Sequence, residues 1–298
     1  MTDRIKGVIA AVPSPLAANA RAAAPAIDTD RFVQHARWAL DHGCDGLNVL
    51  GSTGEANSFS PEARAALMRA AAGALPVGRM MVGTGAPDLE TAIRLTALAG
   101  SLGFTGALVL PPYYYSAVSD DGLFAFFERL IAETAAEAPP IYLYNFPQMT
   151  GLNFAPELVA RLRAAYPDRV LGIKDSSGDL DYAAQLAGIE GLDVFPSSES
   201  ALGQADAKGF AGVISATVNL SAPLAQRVWR AQDDATALGQ LSHIRETVSA
   251  RPLIPAVKHL VGRRLGDEAW DALLPPFLPL SQADRAALAP VADELRAL

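Results

Sequence analysis

The chain has 298 residues, of which 50% are hydrophobic and 19% charged, so it can bury a large core and is not a disordered polymer. Its 24 basic residues against 32 acidic ones leave a formal net charge of −8, which argues against a nucleic-acid or anionic-membrane surface. No apolar run approaches the roughly 18 residues that span a bilayer, and the first residues lead into too brief an apolar stretch for a signal peptide. Cys44 is the single cysteine, so no intrachain disulfide can form. The expectation is a cytoplasmic enzyme acting on a small molecule.

Taken in chain order, short apolar or β-branched runs predict strands at 7–12, 46–50, 79–83, 106–110, 140–145, 170–174, 192–195 and 211–214. Helical patterns fall between them at 29–42, 60–73, 88–102, 119–137, 155–166, 178–189 and 199–208. Ser60-Pro61-Glu62 opens one of these with a capping serine and proline at the first helical position. An Ala-rich stretch at 17–26 reads as a loop. Eight strands alternating with helices predict an α/β protein, a (β/α)₈ TIM barrel over 1–222. A doubly wound open sheet is the alternative, and the strand count speaks against it. Residues 223–298 carry no strand pattern and predict a C-terminal helical extension, broken at Pro252, Pro255, Pro275, Pro276 and Pro279.

In a parallel barrel the C-terminal strand ends converge on one mouth, where active sites are built. Here those ends carry Gly51-Ser52-Thr53-Gly54-Glu55, Gly83-Thr84-Gly85, Tyr113-Tyr114-Tyr115, Tyr144-Asn145-Phe146-Pro147, Lys174-Asp175 and Ser197-Ser198-Glu199. Lys174 is the most informative, because it alone of four lysines ends an apolar strand. Such a lysine could simply snorkel to water. Desolvated inside a barrel, however, an amine is pushed toward its neutral form and can attack a carbonyl to make a Schiff base. The protonated imine then serves as the electron sink, so no metal or other cofactor is required. Tyr144 ends the preceding strand, within reach of Lys174, and a phenol tuned by its neighbours can shuttle protons. Ser52 and Thr53 offer hydroxyls and backbone N–H groups suited to a carboxylate.

Competing motifs fail. The segment from Gly83 to Asp88 begins like a dinucleotide fingerprint but lacks the third glycine and places Pro87 in the turn. His35, His42, His243 and His259 show no ligand pairing with Cys44, and His35 and His42 are expected at a surface or interface.

In combination, GSTGE at 51–55, GTGA at 83–86, PPYY at 111–114, YNFP at 144–147, GIKD at 172–175 and GVIS at 212–215 resemble the pyruvate-dependent class I aldolases. That family includes dihydrodipicolinate synthase, N-acetylneuraminate lyase and 2-keto-3-deoxy sugar-acid aldolases. The resemblance implies that Lys174 forms the Schiff base, that Tyr144 transfers protons, and that Ser52 and Thr53 bind the pyruvyl carboxylate. It counts Gly51 and Ile214 in the same substrate pocket, and it makes Tyr114 part of a proton relay from a neighbouring subunit. A homotetramer or homodimer is expected, with no nucleic-acid or membrane partner.

The synthases also carry an arginine two residues after the proline of the Y-N-x-P motif, where it binds the second substrate's carboxylate. This chain has Met149 there, and a thioether cannot replace a bidentate guanidinium. Pro61 and Arg64 stand where lysine-inhibited synthases have histidines. The expectation is therefore a lyase of 2-keto-3-deoxy sugar acids, with Ser198 and Glu199 binding substrate hydroxyls. Dihydrodipicolinate synthase activity, a dehydratase using the same imine, and a binding protein without turnover are the alternatives.

Overall fold

The computed structural model describes residues 4–18, 25–115, 117–134 and 138–298. β1 (Gly7–Ala11) leads to α1 (Thr29–Asp41), β2 (Gly46–Val49) to α2 (Pro61–Ala74), β3 (Met80–Gly83) to α3 (Leu89–Ser101), and β4 (Gly106–Val109) to α4 (Asp120–Glu133). β5 (Ile141–Asn145) is followed by the single turn α5 (Pro147–Thr150) and by α6 (Pro156–Ala165), and β6 (Val170–Asp175) by α7 (Leu180–Ala187). β7 (Asp193–Pro196) runs into a 3₁₀ turn (Glu199–Gln204) and the short α8 (Ala205–Lys208), and β8 (Gly212–Ser215) into α9 (Val218–Arg230). α10 (Ala235–Ser249), α11 (Leu253–Leu265) and α12 (Gln282–Leu295) complete the chain.

All ladders are parallel and follow chain order, with β1 pairing both β2 and β8. Ala211 donates its N–H to the Val194 carbonyl at 2.9 Å, joining the last two strands into a (β/α)₈ barrel. Strand alternation sorts the apolar side chains into two cores. Ile9, Met81, Leu108, Tyr142, Phe195 and Ile214 fill the barrel interior, whereas Val8, Leu47, Val82, Val109, Leu143 and Val213 pack outward against the helices.

Every predicted strand is present within one residue at each end. The helices differ more. The predicted 119–137 helix ends at Glu133, with 135–137 outside the described residues, as is part of the Ala-rich stretch at 17–26. The predicted 199–208 helix is a 3₁₀ segment plus one α turn, stopped by Gly209 at φ 71°. The division expected at 222/223 falls inside α9, which kinks at Ser221, two residues before Pro223, and packs on β1.

His35 corrects an expectation. It is fully buried, not at a surface. Its Nε2 lies 2.9 Å from Asn219 Oδ1 in α9, and its Nδ1 lies 2.8 Å from Arg264 Nη2 in α11. Burial, reinforced by the Arg264 charge, pushes its pKa down to about 3, so the ring is neutral. A polar side chain on the inner face of α1 is tolerated because two later helices satisfy both ring nitrogens. His42, by contrast, is exposed.

Candidate active site

β5 and β6 pair in register, Tyr144 with Lys174 and Asn145 with Asp175. Because side chains alternate along a strand, the first pair faces the barrel interior and the second faces away. The outer pair clamps the two strand ends. Asn145 Nδ2 donates to Asp175 Oδ1 at 2.8 Å, and Ser177 donates to the same carboxylate through its Oγ at 2.7 Å and its N–H at 3.1 Å. Burial pushes the Asp175 carboxyl above its usual range, against the opposing pull of these hydrogen bonds.

The inner pair lies at the mouth of the barrel. Lys174 is only 4% exposed and donates from Nζ to Tyr144 Oη at 3.1 Å. Tyr144 Oη in turn lies 3.2 Å from Ser52 Oγ. Phe146 stacks against the phenol ring, 5.7 Å between centroids. Amine, phenol and hydroxyl thus form one chain of hydrogen bonds contributed by three different strand ends. That arrangement can relay a proton to and from a carbon held at Lys174.

Ser52 and Thr53 are presented by a strained loop. Leu50 and Glu55, which flank it, adopt left-handed backbone at φ 57° and 53°, a cost of about 1–3 kcal/mol each that surrounding packing must offset. Gly83 at the end of β3 approaches so closely that a Cβ there would lie 2.1 Å from the Leu50 carbonyl oxygen. The Glu55 side chain meets Lys258 of α11 at 2.7 Å, both fully buried, which ties the loop to the C-terminal helices. Burial lowers the Lys258 pKa, and Glu55 opposes that shift. Arg64 Nη2 donates to the carbonyls of Gly83 and Gly85 at 3.0 and 3.1 Å, so this side chain braces the next strand end.

A cavity of about 340 Å³ opens above these groups, within the size range of small-molecule sites. Ser52, Thr53, Tyr144, Met149, Lys174 and Ile214 all line it, so the fold brings these sequence-predicted residues together. Gly51 lies beneath the loop, where a Cβ would come within 2.5 Å of Asn48 Nδ2. Met149 stands at the rim, 69% exposed. Tyr114 lies outside the cavity, 80% exposed, with its ring edge-on to Tyr115.

Two predicted site residues take other places. Ser198 caps the 3₁₀ turn, accepting from the Ser200 N–H, and does not line the cavity. Glu199 is fully buried behind the cavity wall, where its carboxylate accepts from Ser215, Thr217 and Arg245. With its oxygens so engaged, it is not placed to bind a substrate hydroxyl. The residues that sequence reasoning missed come mainly from the C-terminal region: Arg245 of α10, Pro252 to Pro255 at the start of α11, and Phe277 in the segment between α11 and α12. Pro252 and Pro255 are visible in the sequence only as helix breakers, and nothing near Arg245 marks it. Among the described residues, no three His, Cys, Asp or Glu side chains converge as a metal site would require, and no helix is long and apolar enough to cross a membrane.

Comparison with known proteins identifies the family. Residues 4–295 match the dihydrodipicolinate synthetase family. An uncharacterized DapA-like lyase of Chloroflexus aurantiacus is 32% identical over 95% of this chain and 94% of its own length. The crystal structure of dihydrodipicolinate synthase from Agrobacterium tumefaciens superposes with a TM-score of 0.88 at 30% identity, covering 97% of this chain and 99% of that one. YagE, a prophage protein of E. coli K12 belonging to the dihydrodipicolinic acid synthase family and solved with pyruvate, gives 0.87 at 26% identity over 99% and 100%. With the match running almost end to end, the chain belongs to the dihydrodipicolinate synthetase family, whose members are class I aldolases and lyases.

Proposed function

We propose that this protein is a pyruvate-dependent aldolase that works through an imine on Lys174 and cleaves or forms a C–C bond of a 2-keto acid. The observation that carries this reading is the hydrogen-bonded chain from the buried Lys174 Nζ through Tyr144 Oη to the half-buried Ser52 Oγ, at 3.1 and 3.2 Å. In the cleavage direction the neutral amine adds to the C2 carbonyl, and loss of water leaves a protonated imine. Tyr144 accepts the proton of the C4 hydroxyl. The C3–C4 bond then breaks, its electron pair flows into the iminium, and an aldehyde leaves. The resulting enamine takes a proton at C3, and water hydrolyses the imine to pyruvate and free Lys174. Ser52 and Thr53 hold the carboxylate, so that the keto carbon stands at the amine, and such orientation itself lowers the barrier.

We propose further that the substrate is a 2-keto-3-deoxy sugar acid. Met149 at the cavity rim supplies no cation where the synthases carry an arginine. Dehydration through the same imine would leave the carbon chain intact, so product mass separates it from cleavage. Tyr114 and Tyr115 expose their rings together, which fits a second copy of the chain docking there and bringing its Tyr114 toward Ser52.

Borohydride reduction in the presence of pyruvate, followed by peptide mass spectrometry, tests the central claim. A pyruvyl adduct is expected on Lys174. Its absence under conditions that label a known class I aldolase overturns the reading.

A further inference from the structure

The active-site cavity is lined by two cations, Lys174 and Arg245, and by no carboxylate. The imine chemistry uses Lys174 and gives Arg245 nothing to do. We propose that Arg245 reads the far end of the substrate and that this end carries a carboxylate, which makes the substrate a 2-keto acid with acidic groups at both ends. The inference rests on the reading above, that Lys174 holds the keto carbon, and it narrows the sugar acid to one with a second carboxylate.

The guanidinium is held at one corner only. Nη1 shares its two N–H groups among four acceptors, the Ser197 carbonyl at 3.2 Å, Glu199 Oε2 at 3.3 Å, Ser215 Oγ at 3.0 Å and Thr217 Oγ1 at 3.1 Å. These four contacts fix the head group before any ligand arrives, so little rotamer freedom remains to be lost on binding. Among the described residues Nε and Nη2 donate to none, although the side chain lines the cavity. That unused edge is a side-on fork matching the two oxygens of a carboxylate. Glu199 cannot fill it, because its carboxylate is already engaged behind the wall by Ser215 and Thr217 as well. Ile214, Leu253, Ile254 and Phe277 make the neighbouring wall apolar. The side chain is 18% exposed, so its free N–H groups remain open to the cavity, and a charged partner there is worth more than a hydroxyl. Met149 fits this picture: the rim at α5 has no cation, and acid recognition passes to α10.

Titration calorimetry on the whole protein with two length-matched pairs of keto acids tests the proposal. The pairs are 2-oxoglutarate against 2-oxopentanoate and 2-oxoadipate against 2-oxohexanoate, which differ only in the distal carboxylate. At least one diacid is expected to bind about ten- to 150-fold more tightly than its neutral partner, the gain of one charge-assisted pair. Arg245→Gln should erase that preference. Since this variant leaves Glu199 buried without its cation, Glu199→Gln/Arg245→Gln is measured beside it as an uncharged pair. Equal binding within both pairs by the unaltered protein, or a preference that survives either variant, overturns the proposal. Pyruvate trapping is run in parallel. Trapping on Lys174 without a diacid preference rejects the role of Arg245 alone, and a diacid preference without trapping rejects the imine chemistry alone.

Discussion

Tyr144 and Lys174 are direct register partners on β5 and β6, and that pairing sets phenol and amine 3.1 Å apart inside the barrel. A shift of one residue in either strand would turn one of the two side chains toward the helices, because strand side chains alternate. The Asn145–Asp175 hydrogen bond one residue further on guards against that shift. The amine–phenol contact and the strand register are here the same constraint.

Removing the Tyr144 hydroxyl should separate imine formation from proton transfer. In Tyr144→Phe, kcat/KM for cleavage should fall about 10²–10⁴-fold, the usual worth of a positioned acid–base group. Borohydride trapping of pyruvate on Lys174 should persist. Steady-state kinetics beside mass spectrometry checks both, and a variant with unimpaired turnover removes Tyr144 from the mechanism.

Thr53 is buried and lines the cavity, so its hydroxyl can be deleted with little change of volume. Thr53→Val should raise KM for pyruvate about tenfold or more, the loss of one hydrogen bond to a charged group. Its thermal stability should stay close to that of the parent. An unchanged KM would mean that the carboxylate is held elsewhere.

The Glu55–Lys258 pair predicts a strong asymmetry. Lys258→Met leaves a buried carboxylate without its cation and should cost about 3–5 kcal/mol of stability. Glu55→Gln/Lys258→Met removes both charges and should recover much of that loss. Urea unfolding of the parent, both single variants and the double variant measures it, and additive losses would contradict a coupled pair.

Stability should also fall on acidification because of His35. Burial and Arg264 hold its folded-state pKa at about 3, against 6.5 for an unperturbed imidazole. Between these values the unfolded chain binds a proton that the folded chain refuses. The contribution is therefore complete above about 6.5 and is lost as pH falls toward 3, by at most about 1.4 kcal/mol per pH unit. Urea midpoints between pH 7.5 and 4 should decline, and His35→Gln should flatten the decline. Parallel profiles for the two proteins would place the acid sensitivity elsewhere.

Lys174, Tyr144 and the Ser52–Thr53 loop could be found in the sequence because their signals are local. A strand announces itself over four or five residues, its end is marked by glycine or a polar residue, and chain order places successive ends around one mouth. Met149 was legible for the same reason, as a fixed offset from Pro147. The inward polar residues were not. His35 occupies a helix position that looks like any solvated histidine until Asn219 and Arg264 arrive from 184 and 229 residues away. Glu199 follows a strand as a binding residue would, yet packing hands its carboxylate to Ser215, Thr217 and Arg245. Arg245 itself sits on a helix whose pattern says only that one face is apolar, and it becomes a cavity residue because α10 packs against the 3₁₀ turn after β7. Periodicity and turn chemistry act over a few residues, so the sequence alone determined the barrel and its amine. The partner of a buried charge is chosen by elements that meet only on folding, so the tertiary structure alone decided which polar groups face the cavity and which are spent on holding the wall.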